Sequence, residues 1–345
     1  MRILYAIQGT GNGHLSRSME IIPHLQKRGK VDVLLSGNQC ELQLPFEVRY
    51  RFHGLSFIFG EKGGISFTKT YKNNRTRRFV REVNSLDVSP YDLIISDFEP
   101  VSAWACILAQ KRCIGLSNQA SILSEGAPVV ESGDMLGKFI LQNYAPVSDA
   151  YGFHFQRYNP SIFTPIVRKE VRQLKTSNQD HYLVYLPAHS DIRIVKALKC
   201  FPETNWQVFS KHGNEGFIDE NVWLRPINNE QYLKSLASCA GVLCAAGFGA
   251  TAEALFLGKK LCVVPMKAQF EQQCNALALY QMGIPTIKSL KKKCHYQVRT
   301  WLEEENQIRV NYPDNAETIV STIIQNEILK DPNRAEMRVM IGMVI

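Results

Sequence analysis

The sequence predicts an α/β protein with two parallel-sheet domains, on three observations. Strand and helix signals alternate along the chain, the alternation restarts near the middle, and a glycine-rich turn opens a helix in each half. With 345 residues and a usual domain size of about 150, two cores are expected. A composition of 45% hydrophobic and 21% charged residues is that of a globular protein. Internal repeats and low-complexity tracts are absent.

In the first half, Ile3 to Ile7 reads as a continuous apolar strand and Leu15 to Arg28 as an amphipathic helix stopped by Gly29, followed by a strand over Val31 to Leu35. Leu93 to Ser96 is a short buried strand ending at Asp97, and a small-residue helix over Ala103 to Gln110 leads into the strand Cys113 to Leu116. Apolar runs of this length, alternating with helices, mark a parallel sheet covered on both faces. After the polar stretch Lys175 to Asp180 the rhythm resumes with strand His181 to Leu186, helix Ile192 to Leu198 and strand Trp206 to Ser210. It continues with helix Asn229 to Ala237, strand Gly241 to Cys244, helix Thr251 to Leu257, strand Leu261 to Val264 and helix Gln272 to Met282. These elements place one domain over residues 1–170 and a second over 171–345, with a C-terminal helix free to cross back to the first. Two open sheets then face each other, and ligands in such sheets bind beyond the carboxyl ends of the strands.

The apolar run at the N-terminus is too short for a signal peptide or membrane span, so the chain is expected in the cytoplasm. Its nine cysteines include no Cys-x-x-Cys pair and lie in apolar runs, as reduced core residues do. A net charge of +8 suits a phosphate ligand, an anionic membrane or nucleic acid equally. Lys62, Lys69, Lys72, Arg75, Arg77, Arg78 and Arg81 follow the aromatic segment Phe52 to Phe59 with no intervening acid from Lys62 onward. A solvated helix face accounts for that run, and so does a rim that meets an anionic membrane from the cytoplasmic side. Nucleic acid is not an expected partner, because no helix-turn-helix, zinc-finger or RNA-binding signature accompanies the charge. The sequence assigns no oligomeric state.

Gln8-Gly9-Thr10-Gly11-Asn12-Gly13-His14 joins the first strand to the first helix. Glycines there let Gly11, Asn12 and Gly13 approach a ligand, and a helix N-terminus favours negative charge. A nicotinamide or flavin dinucleotide would use such a turn, but the spacing is Gly-x-Gly-x-Gly and the second strand ends at Ser36-Gly37, where an acid for the ribose would stand. His14 is suited to accept a proton near neutral pH. Asp97, at the end of a buried strand, would orient that imidazole or act as the base itself.

The most informative stretch runs from Ala245 to Pro265 and on through Glu271-Gln272-Gln273-Cys274-Asn275-Ala276. It reads as strand, glycine turn, helix, strand, polar loop and helix. Amides of Gly249, Ala250 and Thr251 at a helix start can hold a diphosphate, aided by the helix dipole. Glu253 can accept hydrogen bonds from ribose hydroxyls, and Glu271 and Gln272 can grip a sugar from the facing loop.

Over Gly247 to Ala276 this pattern resembles the GT-B glycosyltransferases, particularly the inverting group of the lipid II-forming N-acetylglucosaminyltransferase and the plant small-molecule glucosyltransferases. The shared features are the glycine turn at Gly247-Phe248-Gly249, Glu253, Gly258, Pro265, the acid-Gln pair and Asn275-Ala276. Gly9 to His14 resembles the glycine-rich loop of the lipid II enzyme, and Thr164 to Arg168 its Asn-Pro-Val-Arg segment at the domain junction. The resemblance implies a GT-B fold of two Rossmann-like domains whose parallel sheets face across an interdomain cleft. It also implies that Glu253 holds the donor ribose, that Glu271 and Gln272 contact the sugar, and that Arg168 lies near the cleft. Ala245 departs from the plant members, which carry histidine there, so phosphate binding would rest on amides, on Thr251 or Ser190, and on Arg168. Retaining GT-B enzymes carry two glutamates, the first of which would fall at Ala245, so inversion is expected.

The expected reaction moves a hexose or N-acetylhexosamine from a nucleotide diphosphate sugar, UDP by analogy, to a hydroxyl acceptor that is lipid-linked, part of a cell-envelope glycan or a small molecule. His14 or Asp97 is the base, and neither a cofactor nor a metal is called for, the nucleotide sugar being a co-substrate. A nucleotide-sugar 2-epimerase on the same fold and a non-catalytic nucleotide-sugar-binding protein are the competing readings.

Overall fold

The computed structural model describes residues 1–37, 44–55, 76–131, 135–213, 215–267, 269–305 and 307–330. The first half contains β1 (Arg2–Gln8), α1 (Asn12–Gln26), β2 (Lys30–Ser36), β3 (Val48–Phe52), α2 (Thr76–Ser85), β4 (Leu93–Asp97), α3 (Pro100–Leu108), β5 (Ile114–Ser117), α4 (Asn118–Ile122), α5 (Met135–Asn143), β6 (Asp149–Phe153) and β7 (Ile162–Phe163). The short helix α6 (Lys169–Arg172) leads to β8 (Gln179–Tyr185), α7 (Asp191–Leu198), β9 (Trp206–Ser210), β10 (Phe217–Asp219), β11 (Val222–Pro226), α8 (Asn229–Ser238), β12 (Cys239–Cys244), α9 (Phe248–Phe256), β13 (Lys260–Val263), α10 (Phe270–Gln281), α11 (His295–Glu303) and α12 (Ala316–Lys330).

These strands form two sheets. The first has seven strands in the order β3-β2-β1-β4-β5-β6-β7, all parallel. The second has six in the order β10-β11-β9-β8-β12-β13, parallel except for the edge pair β10 and β11. The topology decides where ligands can go. After β1 the chain winds outward through β2 and β3, then returns to place β4 on the other side of β1, so the loops that follow β1 and β4 part at the sheet edge and leave a crevice. The same reversal falls between β8 and β12 in the second sheet.

The interior strands Ile3 to Ile7 and Val242 to Cys244 are wholly buried, as expected of parallel strands covered by helices on both faces. One apolar cluster runs from the first sheet into the second and includes Phe155 and Phe248, whose rings lie 5.1 Å apart. The last described helix, α12, comes back to the first sheet, where Asn326 donates to the Tyr151 hydroxyl at 2.8 Å and Arg112 Nε donates to Glu327 at 3.1 Å.

Several expected boundaries move, each for a local reason. Helix α3 starts at Pro100, three residues ahead of the expectation, because the Glu99 carboxylate caps it, accepting from the amides of Val101 at 2.7 Å and Ser102 at 2.6 Å. Proline suits the first helical position, where no amide is needed. Helix α9 starts at Phe248, since Gly249 is taken into the first turn instead of forming part of the preceding loop. Strands β3, β6, β7, β10 and β11 have no counterpart in the expected elements. Of these β7 has two residues and β10 three, too few for a periodic signal.

Of the aromatic and basic segment, residues 56–75 lie outside the described residues, as do residues 331–345 at the C-terminus. Arg77 and Arg81 are exposed on α2, and Arg78 is 3.7 Å from Glu82. No described helix is long and apolar enough to cross a membrane. Cys200 is exposed, whereas the other described cysteines are buried and unpaired.

Candidate active site

His14 and Asp97 meet because they stand at the carboxyl ends of the two strands that flank the first switch point, His14 beyond β1 and Asp97 at the end of β4. His14 lies in the first turn of α1, and Asp97 closes β4. The His14 Nδ1 is 2.8 Å from Asp97 Oδ1. Asp97 is completely buried, while the His14 side chain keeps 12% of its surface accessible. Arg17, one turn further along α1, donates Nε to Asp97 Oδ2 at 3.1 Å and Nη2 to Oδ1. Burial alone would push the Asp97 carboxyl up; the Arg17 charge, together with His14, outweighs it and holds the group below the usual carboxylate range. Both oxygens of Asp97 are therefore occupied inside the protein, and of this pair only the imidazole reaches the surface.

The glycines of the first loop divide by task. A Cβ at Gly9 would stand 2.9 Å from the carbonyl oxygen of Ser36, so that residue is required by the close approach of two chains. Gly11 and Gly13 face open space, with nothing within 4 Å of an added Cβ. Gly11 is the N-cap of α1, in extended backbone, and Asn12 is the first residue of the helix.

The second switch point carries the other loop. Gly247 caps α9 without a side-chain hydrogen bond, and a Cβ at Gly247 or Gly249 would meet nothing within 4 Å. Helix geometry leaves the amides of Phe248, Gly249 and Ala250 without partners inside the helix. Thr251 is different. It is fully buried, its amide donates to Gly247 O at 3.3 Å, and its hydroxyl donates to Gly247 O at 2.7 Å and Phe248 O at 3.0 Å. The open amides at this helix start are thus those one step earlier than Gly249 to Thr251. The Phe248 ring is buried against Phe155. Ser190, from the neighbouring loop after β8, is the N-cap of α7.

Glu253 projects from α9 onto Arg168. The guanidinium donates Nε to Oε1 at 2.6 Å and Nη2 to Oε2 at 3.0 Å, and Nη1 reaches Asn229 Oδ1 at 3.0 Å. Burial would lower the Arg168 pKa, but the pairing with Glu253 raises it above the ordinary arginine value. Arg168 therefore stands beside the ribose-binding candidate instead of open to a phosphate.

Glu271, in the first turn of α10, reaches across to the first half. Asn118 Nδ2 donates to its Oε1 at 2.8 Å and Gln119 Nε2 to its Oε2 at 3.1 Å. Gln119 Nε2 is also 3.4 Å from His14 Nε2, and Asn118 Oδ1 is 3.4 Å from Arg17 Nη1. Beside these contacts Phe270 and Cys274 pack on Ile122, with Leu123, Val129, Val130 and Leu141 around them. Gln272 turns the other way. Its side chain is buried, accepting from Met266 N at 3.0 Å and donating to Met266 Sδ at 3.1 Å. Asn275, one turn on, donates to Ala246 O at 3.1 Å and so ties α10 to the glycine turn.

Sequence reasoning did not single out Arg17, Asn118 or Gln119. Arg17 left one readable trace, an arginine on the buried stripe that also holds Leu15, Ser18, Ile21, Ile22 and Leu25. Asn118 and Gln119 left none, because their short helix shows no periodicity.

Two mostly parallel α/β sheets, together with the family match and the solved structures that share the fold, define the class: this is a GT-B glycosyltransferase. The chain belongs to glycosyl transferase family 1, which its residues 1–304 match. Among curated proteins, none matches the sequence significantly. Solved structures share the fold at low identity. The glycotransferase of kitacinnamycin superposes with a TM-score of 0.58 at 13% identity, over 98% of this chain and 97% of that one. UGT2 of Phytolacca americana, solved with UDP-2fluoro-glucose and pterostilbene, gives 0.56 at 13% identity over 94% and 98%. The calicheamicin glycosyltransferase CalG4 gives 0.53 at 15% identity over 99% and 98%.

Proposed function

We propose that this glycosyltransferase moves a hexose or N-acetylhexosamine from a UDP-sugar to a hydroxyl acceptor with inversion, residues 1–170 holding the acceptor and 171–345 the donor. The observation that carries the reading is the His14 imidazole, held through Nδ1 by a buried carboxylate and linked through Gln119 to Glu271 of the second half. An Nδ1 bonded to Asp97 leaves Nε2 as the proton acceptor, so His14 takes the base role and Asp97 orients it.

In the proposed step, Nε2 of His14 removes the acceptor proton as the hydroxyl oxygen bonds to the anomeric carbon. The bond from that carbon to the β-phosphate oxygen breaks, and its electron pair leaves with UDP. The departing negative charge faces the amides of Phe248, Gly249 and Ala250, supported by the α9 dipole. Glu253 receives the ribose hydroxyls and Glu271 the transferred sugar. No metal or cofactor is assigned a role, and turnover should persist in EDTA. Arg77, Arg81 and the half-exposed Val80 of α2 support a peripheral contact with an anionic cytoplasmic membrane surface; unchanged vesicle co-sedimentation after neutralising both arginines would end that part of the reading.

The test is a thermal-shift panel of nucleotide sugars, followed by transfer to hydroxyl acceptors with the product anomer read by NMR. Stabilisation by a UDP-sugar and an inverted product are expected, because a ligand that binds only the folded state raises its stability. Absence of any stabilisation, retention at the anomeric centre, or a 2-epimer formed from UDP-GlcNAc without acceptor would overturn the proposal.

A further inference from the structure

Arg17 lies three residues beyond His14 on α1, so both side chains leave the same helix face. Its side chain is 7% exposed, and the guanidinium stands 5.1 Å from the centre of the Phe153 ring. Burying an ion pair seldom stabilises a fold more than apolar groups of equal volume would, and removing one partner leaves a buried charge unmatched. The Arg17–Asp97 pair is therefore a poor way to fill the space beneath α1. Its geometry suggests another use.

Asp97, when ionised, can only accept hydrogen bonds, and its Oδ1 lies 2.8 Å from His14 Nδ1. That contact is favourable only while Nδ1 carries the ring proton. Arg17 Nη2 also stands 3.2 Å from Nδ1, so an unprotonated Nδ1 could accept from the guanidinium were Asp97 to rotate or take up a proton. The fork of Arg17, donating to both oxygens of Asp97, prevents either event by neutralising the carboxylate where it stands. Lysine could supply the charge but not the planar pair of donors.

We propose that Arg17 is the positioning residue of this site: by pinning both oxygens of Asp97 it holds His14 as the Nδ1–H tautomer and presents Nε2 to the acceptor. This rests on the reading of His14 as base, and it is tested independently of turnover. In protein carrying 15N-labelled histidine, long-range proton–nitrogen correlations should show His14 protonated at Nδ1 and bare at Nε2. Arg17→Gln should shift His14 toward the Nε2–H form and lower kcat by about 10²-fold or more, the range of general-base loss, with the donor KM changed less than about twofold. Arg17→Lys should recover part of both.

Retention of the Nδ1–H tautomer in Arg17→Gln, with kcat within about threefold of wild type, would overturn the proposal. If Arg17→Gln does not fold, the other two readouts decide: an Nε2-protonated His14 in the wild type, or Arg17→Lys matching wild type in both tautomer and kcat, would sink it. Should no nucleotide sugar turn over, the transferase reading fails while the tautomer measurement still judges Arg17.

Discussion

Arg168, from the segment that joins the two sheets, holds both carboxylate oxygens of Glu253 on α9, with donor distances of 2.6 and 3.0 Å. A bidentate pair of this kind fixes the plane of the carboxylate and leaves each oxygen a further lone pair. In the proposed donor pose, ribose hydroxyls would meet an acceptor already aimed.

Glu253→Gln keeps the shape but loses the charge. The expected result is a fall in affinity for UDP of about 10- to 100-fold, the worth of a hydrogen bond to a charged group. Isothermal titration checks it, and a change below about twofold would remove Glu253 from the nucleotide site.

His14→Ala should lower kcat by about 10²- to 10⁴-fold while the thermal shift produced by the donor stays as in wild type. Asp97→Asn should lower kcat too, since an amide can donate to Nδ1 and invite the opposite tautomer. Near-full turnover in His14→Ala would take the base role away from that residue.

Glu271 joins the two halves through Asn118 and Gln119, and the proposed donor pose has it meet the sugar rather than the nucleotide. Glu271→Ala is expected to weaken binding of the UDP-sugar by about 10-fold and to leave binding of UDP unchanged, because the lost bonds are those to the sugar hydroxyls. Comparing the two Kd values for the variant checks this; equal weakening of both would place Glu271 elsewhere in the donor site.

His154 carries a pH dependence of stability. Burial pushes its pKa down from 6.5 to about 4, and its Nε2 is without a partner among the described residues. Between those values the unfolded chain binds the proton more readily than the folded one. This contribution is complete above pH 6.5 and is lost as pH falls toward 4, by about 3 kcal/mol in all. His154→Phe should flatten that part of the profile in urea titrations at neutral and acid pH. A slope identical to wild type would show that other groups set it.

Much of the fold was legible because its signals are local. Buried parallel strands such as Ile3 to Ile7 and Gly241 to Cys244 are continuous apolar runs, and a glycine turn between strand and helix is visible in any window that contains it. The second switch point was readable for the same reason: Gly247, Glu253, Glu271 and Gln272 share one compact segment. Even there the structure refines the reading, since Thr251 spends its hydroxyl on its own helix and Gln272 spends its amide on Met266.

By itself the sequence determined the two-sheet α/β class, the place where the rhythm restarts and the two glycine turns that open helices, because hydrophobic period, glycine and helix-start chemistry act over a few residues. The partners of those loops were decided only by the tertiary structure. Arg17 is separated from Asp97 by 80 positions, Asn118 from Glu271 by 153 and Arg168 from Glu253 by 85. Such pairs form when strand order and domain docking bring distant chain ends together, and the window in which periodicity is read is far shorter than those separations.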